Sequence, residues 1–268
     1  MEKKYLIIHM DDMGSSHAAN AAGINLFKKG IVTSCSVMVP CAYAYDFIRW
    51  WKQHPQYDTG IHFTLTCEWD NGKWAPIGGY ETTKTLWNPD YFMWQTNETP
   101  VKNADPTDVY NELEAQIQRA LHWGLVPTHF DRHMHTVMLN DGFYRAYTSL
   151  SQKYKVPFQI TKNEVKPGDN AVKHTTPIDY LIGIGGGPGL NKKQKTECLR
   201  ETLAGLKPGI TQLTLHPVMD TPEIQYIIPD GYERVNEYEI FMSDDTMEYI
   251  KNNQIKLINY KTIQNILF

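Results

Sequence analysis

Three short stretches, far apart in the chain, carry more carboxylates and imidazoles than packing alone would use. They are Asp11-Asp12 in HMDDMG, His62 in GIHFTLT, and HFDRHMH over residues 129–135. Carboxylate and imidazole are donors for divalent cations, and a catalytic zinc takes three protein ligands and keeps a fourth position open for water. One aspartate and two histidines drawn from the three stretches meet that count. Side chains alternate along an extended segment, so His129, Asp131, His133 and His135 are expected on one face. Four polar groups on one side of a segment entered from an apolar strand are costly to bury without a ligand. Each feature alone has a plainer reading, because an acidic pair can cap or turn and a single histidine can be a satisfied core residue. Their joint occurrence points to a metal site.

Each stretch follows a run that reads as a parallel strand. YLIIHM precedes the acidic pair, a segment ending at Gly60-Ile61 leads into His62, and residues 126–130 lead into the histidine run. In a barrel of parallel strands, side chains at the carboxyl ends converge on one rim, so distant residues can share an ion. The runs between read as helices. His17–Lys29 is closed by Gly30, and residues 43–54 end near Pro55. TDVYNELEAQIQRAL repeats Val109, Leu113, Ile117 and Leu121 every four residues, between an Asp105-Pro106 start and Gly124. VTSCSVMV, VPFQI, YLIGI, TQLTL and IKLIN read as further strands, with helices near residues 192–206, 235–241 and 244–251. This alternation predicts an α/β fold, a parallel sheet wrapped by helices. One domain over residues 1–268 is expected, since (β/α) barrels of about 250 residues form one unit.

No competing nucleophile stands out. Cys35, Cys41, Cys67 and Cys198 form no C-x-x-C pair, and no G-x-S-x-G elbow occurs. GIGGGPG, residues 183–189, lacks the Lys-Ser/Thr of a phosphate loop and the spacing of a dinucleotide fingerprint, and reads as a rim loop. A net charge of -4 without a lysine-arginine cluster argues against a nucleic-acid partner. No stretch of about 20 apolar residues predicts a membrane span. With a first strand starting within five residues of Met1, the chain as written reads as cytoplasmic, and as secreted or periplasmic if a leader has been removed.

HMDDMG, KGIVTSCSVMVP, GIHFTLT, PTHFDRHMH and LTLHPVMD, in that order, resemble the YdjC-like carbohydrate deacetylases, the ChbG/HpnK group. The likeness runs from about Tyr5 to RVNEYEIF and IKLINY. It implies a distorted (β/α) barrel of the polysaccharide-deacetylase/glycoside-hydrolase type. It also implies a divalent cation on Asp12, His62 and His133, with Asp11 as general base and His216 as general acid. The sequence departs from the usual pattern at Met13, where phenylalanine is usual, at His9-Met10, where Asn-Ala is usual, and at Val137, where some relatives carry histidine.

The chemistry of amide hydrolysis agrees with those roles. It needs an activated water, a stabiliser for the oxyanion and a proton for the leaving nitrogen. A metal supplies the first two, while a carboxylate and an imidazole on the opposite side move the protons. The donor types favour zinc, with magnesium, often assigned to relatives, as the alternative. Residues 67–105 break the strand-helix rhythm and carry Trp69, Trp74, Trp87, Trp94, Tyr80, Tyr91 and Phe92. A long aromatic insertion after the His62 strand is expected to form a carbohydrate-binding lid, or otherwise an aromatic cluster of its own or a homodimer contact. Glu68, Trp69, Trp74, Asp131, His135 and Arg234 are the expected substrate contacts. The reaction expected is removal of acetyl from an N-acetylated amino sugar or short oligosaccharide. An O-acetyl esterase or phosphoester hydrolase on the same ligands, or a sugar-binding protein with a structural metal, are the other readings.

Overall fold

The computed structural model describes residues 3–166, 172–173, 175–229 and 231–267. Parallel strands form a curled sheet in the order β4-β3-β2-β1-β6-β5, with β7 pairing the amino end of β1. The strands are β1 (Lys4–Met13), β2 (Ser34–Val37), β3 (Thr59–Phe63), β4 (Phe130–Arg132), β5 (Tyr180–Ile182), β6 (Gly209–Leu215) and β7 (Lys256–Leu257). The two ends of the sheet are joined through residues 158–161. Phe158 bridges Phe130, and Thr161 bridges Ile178 just before β5. The predicted distorted barrel is therefore present, closed by single bridges where VPFQI was expected to be a full strand.

Helices cover the outside. α1 (His17–Lys29) opens with the Ser16 side chain accepting from the Ala19 N–H and closes at Gly30 with φ of 80°. α2 (Ala44–Lys52) and α3 (Glu98–Asn103) follow. α4 (Pro106–Trp123) starts on Asp105 and stops at left-handed Gly124, as its sequence predicts. α5 (Asp141–Tyr154) is not predicted. Asn140 caps it by accepting from the Gly142 N–H. α6 (Lys192–Ala204), α7 (Pro222–Ile227), α8 (Gly231–Met242), α9 (Asp244–Asn252) and α10 (Tyr260–Leu267) complete the chain. No helix among the described residues is long and apolar enough to cross a membrane.

Alternation along β1 divides its side chains between two environments. Leu6, Ile8 and Met10 join the large core under the helices, whereas Ile7 packs with Ile178, Ile258, Tyr260 and Ile263 in a small apolar plug. Residues that continue the Ile7 face, His9 and Asp11, stack above that plug toward the carboxyl ends of the strands. The insertion at 67–105 is built into the main core. Cys67, Trp74, Leu86 and Met93 are buried there, and Thr66 bridges Trp94.

Candidate active site

β1 delivers both aspartates to the rim by breaking its own alternation. Neighbours on a regular strand point to opposite faces, but the register against β2 shifts between Met10 and Met13, and Asp12 has a φ of 63°. Such a bulge re-aims a side chain, here letting Asp11 and Asp12 serve one site. β3 and β4 are paired so that His62 lies across from Asp131. Gly60, one alternation below His62, leaves space for the His129 ring, because a Cβ there would stand 2.6 Å from His129 Cε1.

Asp12, His62 and His133 converge. Asp12 Oδ1 lies 3.4 Å from His62 Nε2 and 3.3 Å from His133 Nδ1, and the three ligand atoms fall within 4.8 Å of one another. Each imidazole carries a carboxylate on its other nitrogen. Asp131 Oδ1 is 2.7 Å from His62 Nδ1, and Glu68 Oε2 is 2.8 Å from His133 Nε2. This backing fixes which nitrogen faces Asp12 and is the usual support of a metal-bound histidine. The second oxygen of Asp12 accepts from Arg234 Nη1 at 2.7 Å, and the Arg234 guanidinium lies 5.4 Å from the Trp69 ring. Asp12 Oδ1 itself is buried and makes no hydrogen bond. A buried carboxylate oxygen in that position, facing two oriented imidazoles, fits a divalent cation.

The electrostatics agree. Burial would raise the Asp12 carboxyl, but Arg234 and the His133 and His62 imidazoles outweigh it and hold the group well below the usual carboxylate range. Burial disfavours a charged His133, yet Glu68 and Asp12 raise it to about 9. His62 is likewise lifted well above an ordinary histidine against its burial, by Asp131, Asp11 and Asp12. The carboxylates that favour a proton on each ring would equally favour a cation between the rings.

Asp11 and His216 stand beside the triad. Asp11 Oδ2 is 3.9 Å from His62 Nε2 and 3.8 Å from His216 Nε2. Asp11 and His216, the expected base and acid, are therefore neighbours here, where the sequence reading set an imidazole on the side opposite the carboxylate. His216 is 39% exposed, and its backbone N–H donates to Glu237 Oε2 at 2.6 Å. Glu237 Oε1 in turn meets Lys195 Nζ at 3.0 Å, so α8 and α6 hold the turn that presents His216. The whole opens into a cleft of about 520 Å³, with Asp11, Asp12, Glu68, His135, His216 and Arg234 among its walls. That volume lies within the range of small-molecule sites.

Three expected substrate contacts are placed elsewhere. Asp131 is 1% exposed and spends both oxygens inside the barrel, on His62, His9 and Ser36. Trp69 and Trp74 are each 4% exposed. The Trp74 indole N–H donates to the Thr66 carbonyl, and the two rings meet edge to face. They support the site from behind because the insertion folds inward and packs with the core. Glu68 and Arg234 reach the cleft but also hold His133 and Asp12. His135 lines the cleft, although the expected alternation through the histidine run ends at His133. A 3₁₀ turn begins there, Met134 and His135 adopt φ of 53° and 56°, and Arg132 Nε donates to His135 Nδ1. His129 keeps the alternation and lies fully buried, stacked on Tyr260 at 3.8 Å.

Sequence reasoning did not assign roles to His9, Ser36 or Glu237. The first carried a readable signal, because residues two apart on a strand share a face and His9 is two before Asp11. Ser36 is visible only through pairing, and Glu237 only through the packing of α8 on the rim.

A family model described as YdjC-like protein matches residues 5–252. A carbohydrate deacetylase of Thermoanaerobacter pseudethanolicus is 28% identical over 265 residues, covering 97% of this chain and 100% of that protein. A carbohydrate deacetylase of Geobacillus stearothermophilus is 31% identical over 264 residues, covering 96% and 97% respectively. A solved structure from Enterococcus faecalis, described as a proposed cellobiose-phosphate cleavage protein, superposes with a TM-score of 0.80 at 23% identity. It covers 97% of this chain and 99% of that one, and the likeness speaks for the fold.

Proposed function

The chain belongs to the YdjC-like family, and from that premise we propose that it is a metal-dependent deacetylase acting on N-acetylated amino sugars or their short oligosaccharides. The observation that carries the reading is the buried, unbonded Asp12 Oδ1 between His62 and His133, each backed by a carboxylate, with Asp11 and His216 at its side. The carbohydrate deacetylases among its relatives, which align along nearly the whole chain, support the choice of substrate class.

Asp12, His62 and His133 would hold the cation, and this mixed oxygen and nitrogen set favours zinc, with magnesium as the alternative. When bound, the ion supplies Lewis acidity that polarises the acetyl carbonyl and acidifies water. Asp11, partly open to the cleft, takes the proton from the water that attacks the carbonyl carbon. His216 gives a proton to the amide nitrogen as the carbon-nitrogen bond breaks, leaving acetate and a free amine. Arg234 keeps Asp12 ionised and aimed, and Glu68 and Asp131 fix the rings of His133 and His62.

The test is acetate release from a panel of N-acetyl and O-acetyl sugars, run beside phosphate release from phosphoesters, with elemental analysis of the same preparation. One equivalent of metal with acetate from N-acetyl sugars is expected. Release from O-acetyl sugars alone would assign an esterase, and sugar binding without any release would overturn the hydrolytic reading.

A further inference from the structure

Below the rim, one imidazole touches both acidic groups that matter most to the proton chemistry. His9 Nε2 lies 2.8 Å from Asp131 Oδ2, 3.2 Å from Asp11 Oδ1 and 3.2 Å from Ser36 Oγ. Asp131 uses its other oxygen on His62 Nδ1, so Asp11, His9, Asp131 and His62 form one continuous chain. His9 is fully buried, and its ring plane is set by edge contacts with His129 at 5.1 Å and Tyr260 at 6.1 Å. Asp11 Oδ1 is buried and accepts no hydrogen bond, and the His9 nitrogen that bonds Asp131 is the imidazole 3.2 Å from it within the barrel.

We propose that His9 is a positioning residue for the reaction, holding the Asp11 carboxylate against the site and tying it to the Asp131 that orients His62. The alternation of β1 carries the idea, since Ile7 seals the barrel, His9 sits one step higher and Asp11 reaches the cleft. A neutral apolar residue at position 9 would leave Asp131 with one partner fewer and Asp11 free to turn. Misplacement of a reacting group by about 1 Å can cost about 100-fold in rate. Because Asp131 also keeps Ser36, and His62 keeps Asp131, the cation ligands should survive such a change while the base loses its aim.

The inference rests on the deacetylase reading and is tested separately from it. His9→Leu removes the N–H, whereas His9→Gln puts an amide N–H near the Nε2 position. In zinc-loaded protein, His9→Leu is expected to lower kcat about 30-fold or more with KM within about twofold and one equivalent of zinc retained. His9→Gln should recover to within about threefold of wild type. A folded, metal-loaded His9→Leu protein with more than half of the wild-type kcat would overturn the proposal, as would His9→Gln as slow as His9→Leu. If His9→Leu does not fold, His9→Met takes its place, since its side chain matches Gln in length and carries no N–H donor. Equal rates for Met and Gln then overturn the proposal. Wild-type protein that releases acetate only from O-acetyl sugars would correct the substrate while leaving the same comparison to be run on those sugars.

Discussion

Two buried carboxylates, Glu112 and Asp12, show how a barrel separates support from reactivity. Glu112 on α4 has both oxygens engaged by donors of the chain. Its Oε2 accepts from the Ile77 and Gly78 N–H groups and its Oε1 from Gln116 Nε2, all at 2.8 Å. Asp12 on β1 has one oxygen on Arg234, while the other accepts no hydrogen bond and lies 3.3 and 3.4 Å from the His133 and His62 imidazoles, although it too is buried. Burial raises Glu112 to about 7 despite its three donors, while a guanidinium and two imidazoles drive Asp12 the other way. An acceptor satisfied by the chain itself is a fastener, here tying the insertion to α4. An acceptor left open among oriented imidazoles is prepared for something from outside the chain.

The comparison breaks first at the open site. His133→Ala should leave the protein without stoichiometric metal and lower acetate release by about 1000-fold or more, because a three-ligand site becomes a two-ligand one. Elemental analysis and a turnover assay on one preparation check it, and a metal-replete, active variant would refute the ligand assignment. Asp11→Asn should keep the metal and lose about 100- to 10,000-fold in kcat, the range for general-base removal. Full activity there would mean that another group takes the proton. Glu68→Gln should weaken metal affinity by about 10- to 100-fold, as expected for loss of a carboxylate behind a ligand histidine. Titration against a competing chelator reads that change, and an unaltered affinity would demote Glu68 to a wall of the cleft.

How much of this was legible in the sequence follows from the same distinction. Asp12, His62 and His133 are brought together as the ordered motifs imply, and strand-helix alternation with cap residues locates most elements within a few residues. Local signals sufficed there because periodicity and caps act within one element. Asp131 and Trp69 lie buried behind the cleft where the sequence reading set them facing it, for a different reason. Whether a polar or aromatic side chain faces a cleft or backs it depends on packing between elements, and that is absent from local spacing. α5 was hidden because Asn-Asp-Gly has two local meanings, a turn and a helix start, and only the Asn140 cap decides between them. The turn at Met134 and His135 likewise ends an alternation that the residue types alone would continue.

The smallest effect on turnover belongs to the closed site, and it sharpens the contrast through pH. Glu112 is completely buried, and its folded pKa of about 7 exceeds the ordinary 4.5 first because burial disfavours its anion. The folded state therefore binds more protons than the unfolded state between those values. Its stabilising contribution is fully present below about pH 4.5 and is lost as pH rises through 7. Glu112→Gln removes that dependence but adds a constant penalty, because an amide nitrogen meets the Gln116 donor that the carboxylate accepted. The stability deficit of the variant should accordingly shrink by about 2.5 kcal/mol between pH 5 and pH 8, at 1.36 kcal/mol per pKa unit. Denaturant unfolding of both proteins at the two pH values measures it. Since Glu112 touches no wall of the cleft, kcat at pH 8 should stay within about twofold of wild type. A deficit that does not change with pH would show Glu112 ionised at both, held so by its three donors, and would make it a stronger fastener than its burial allows.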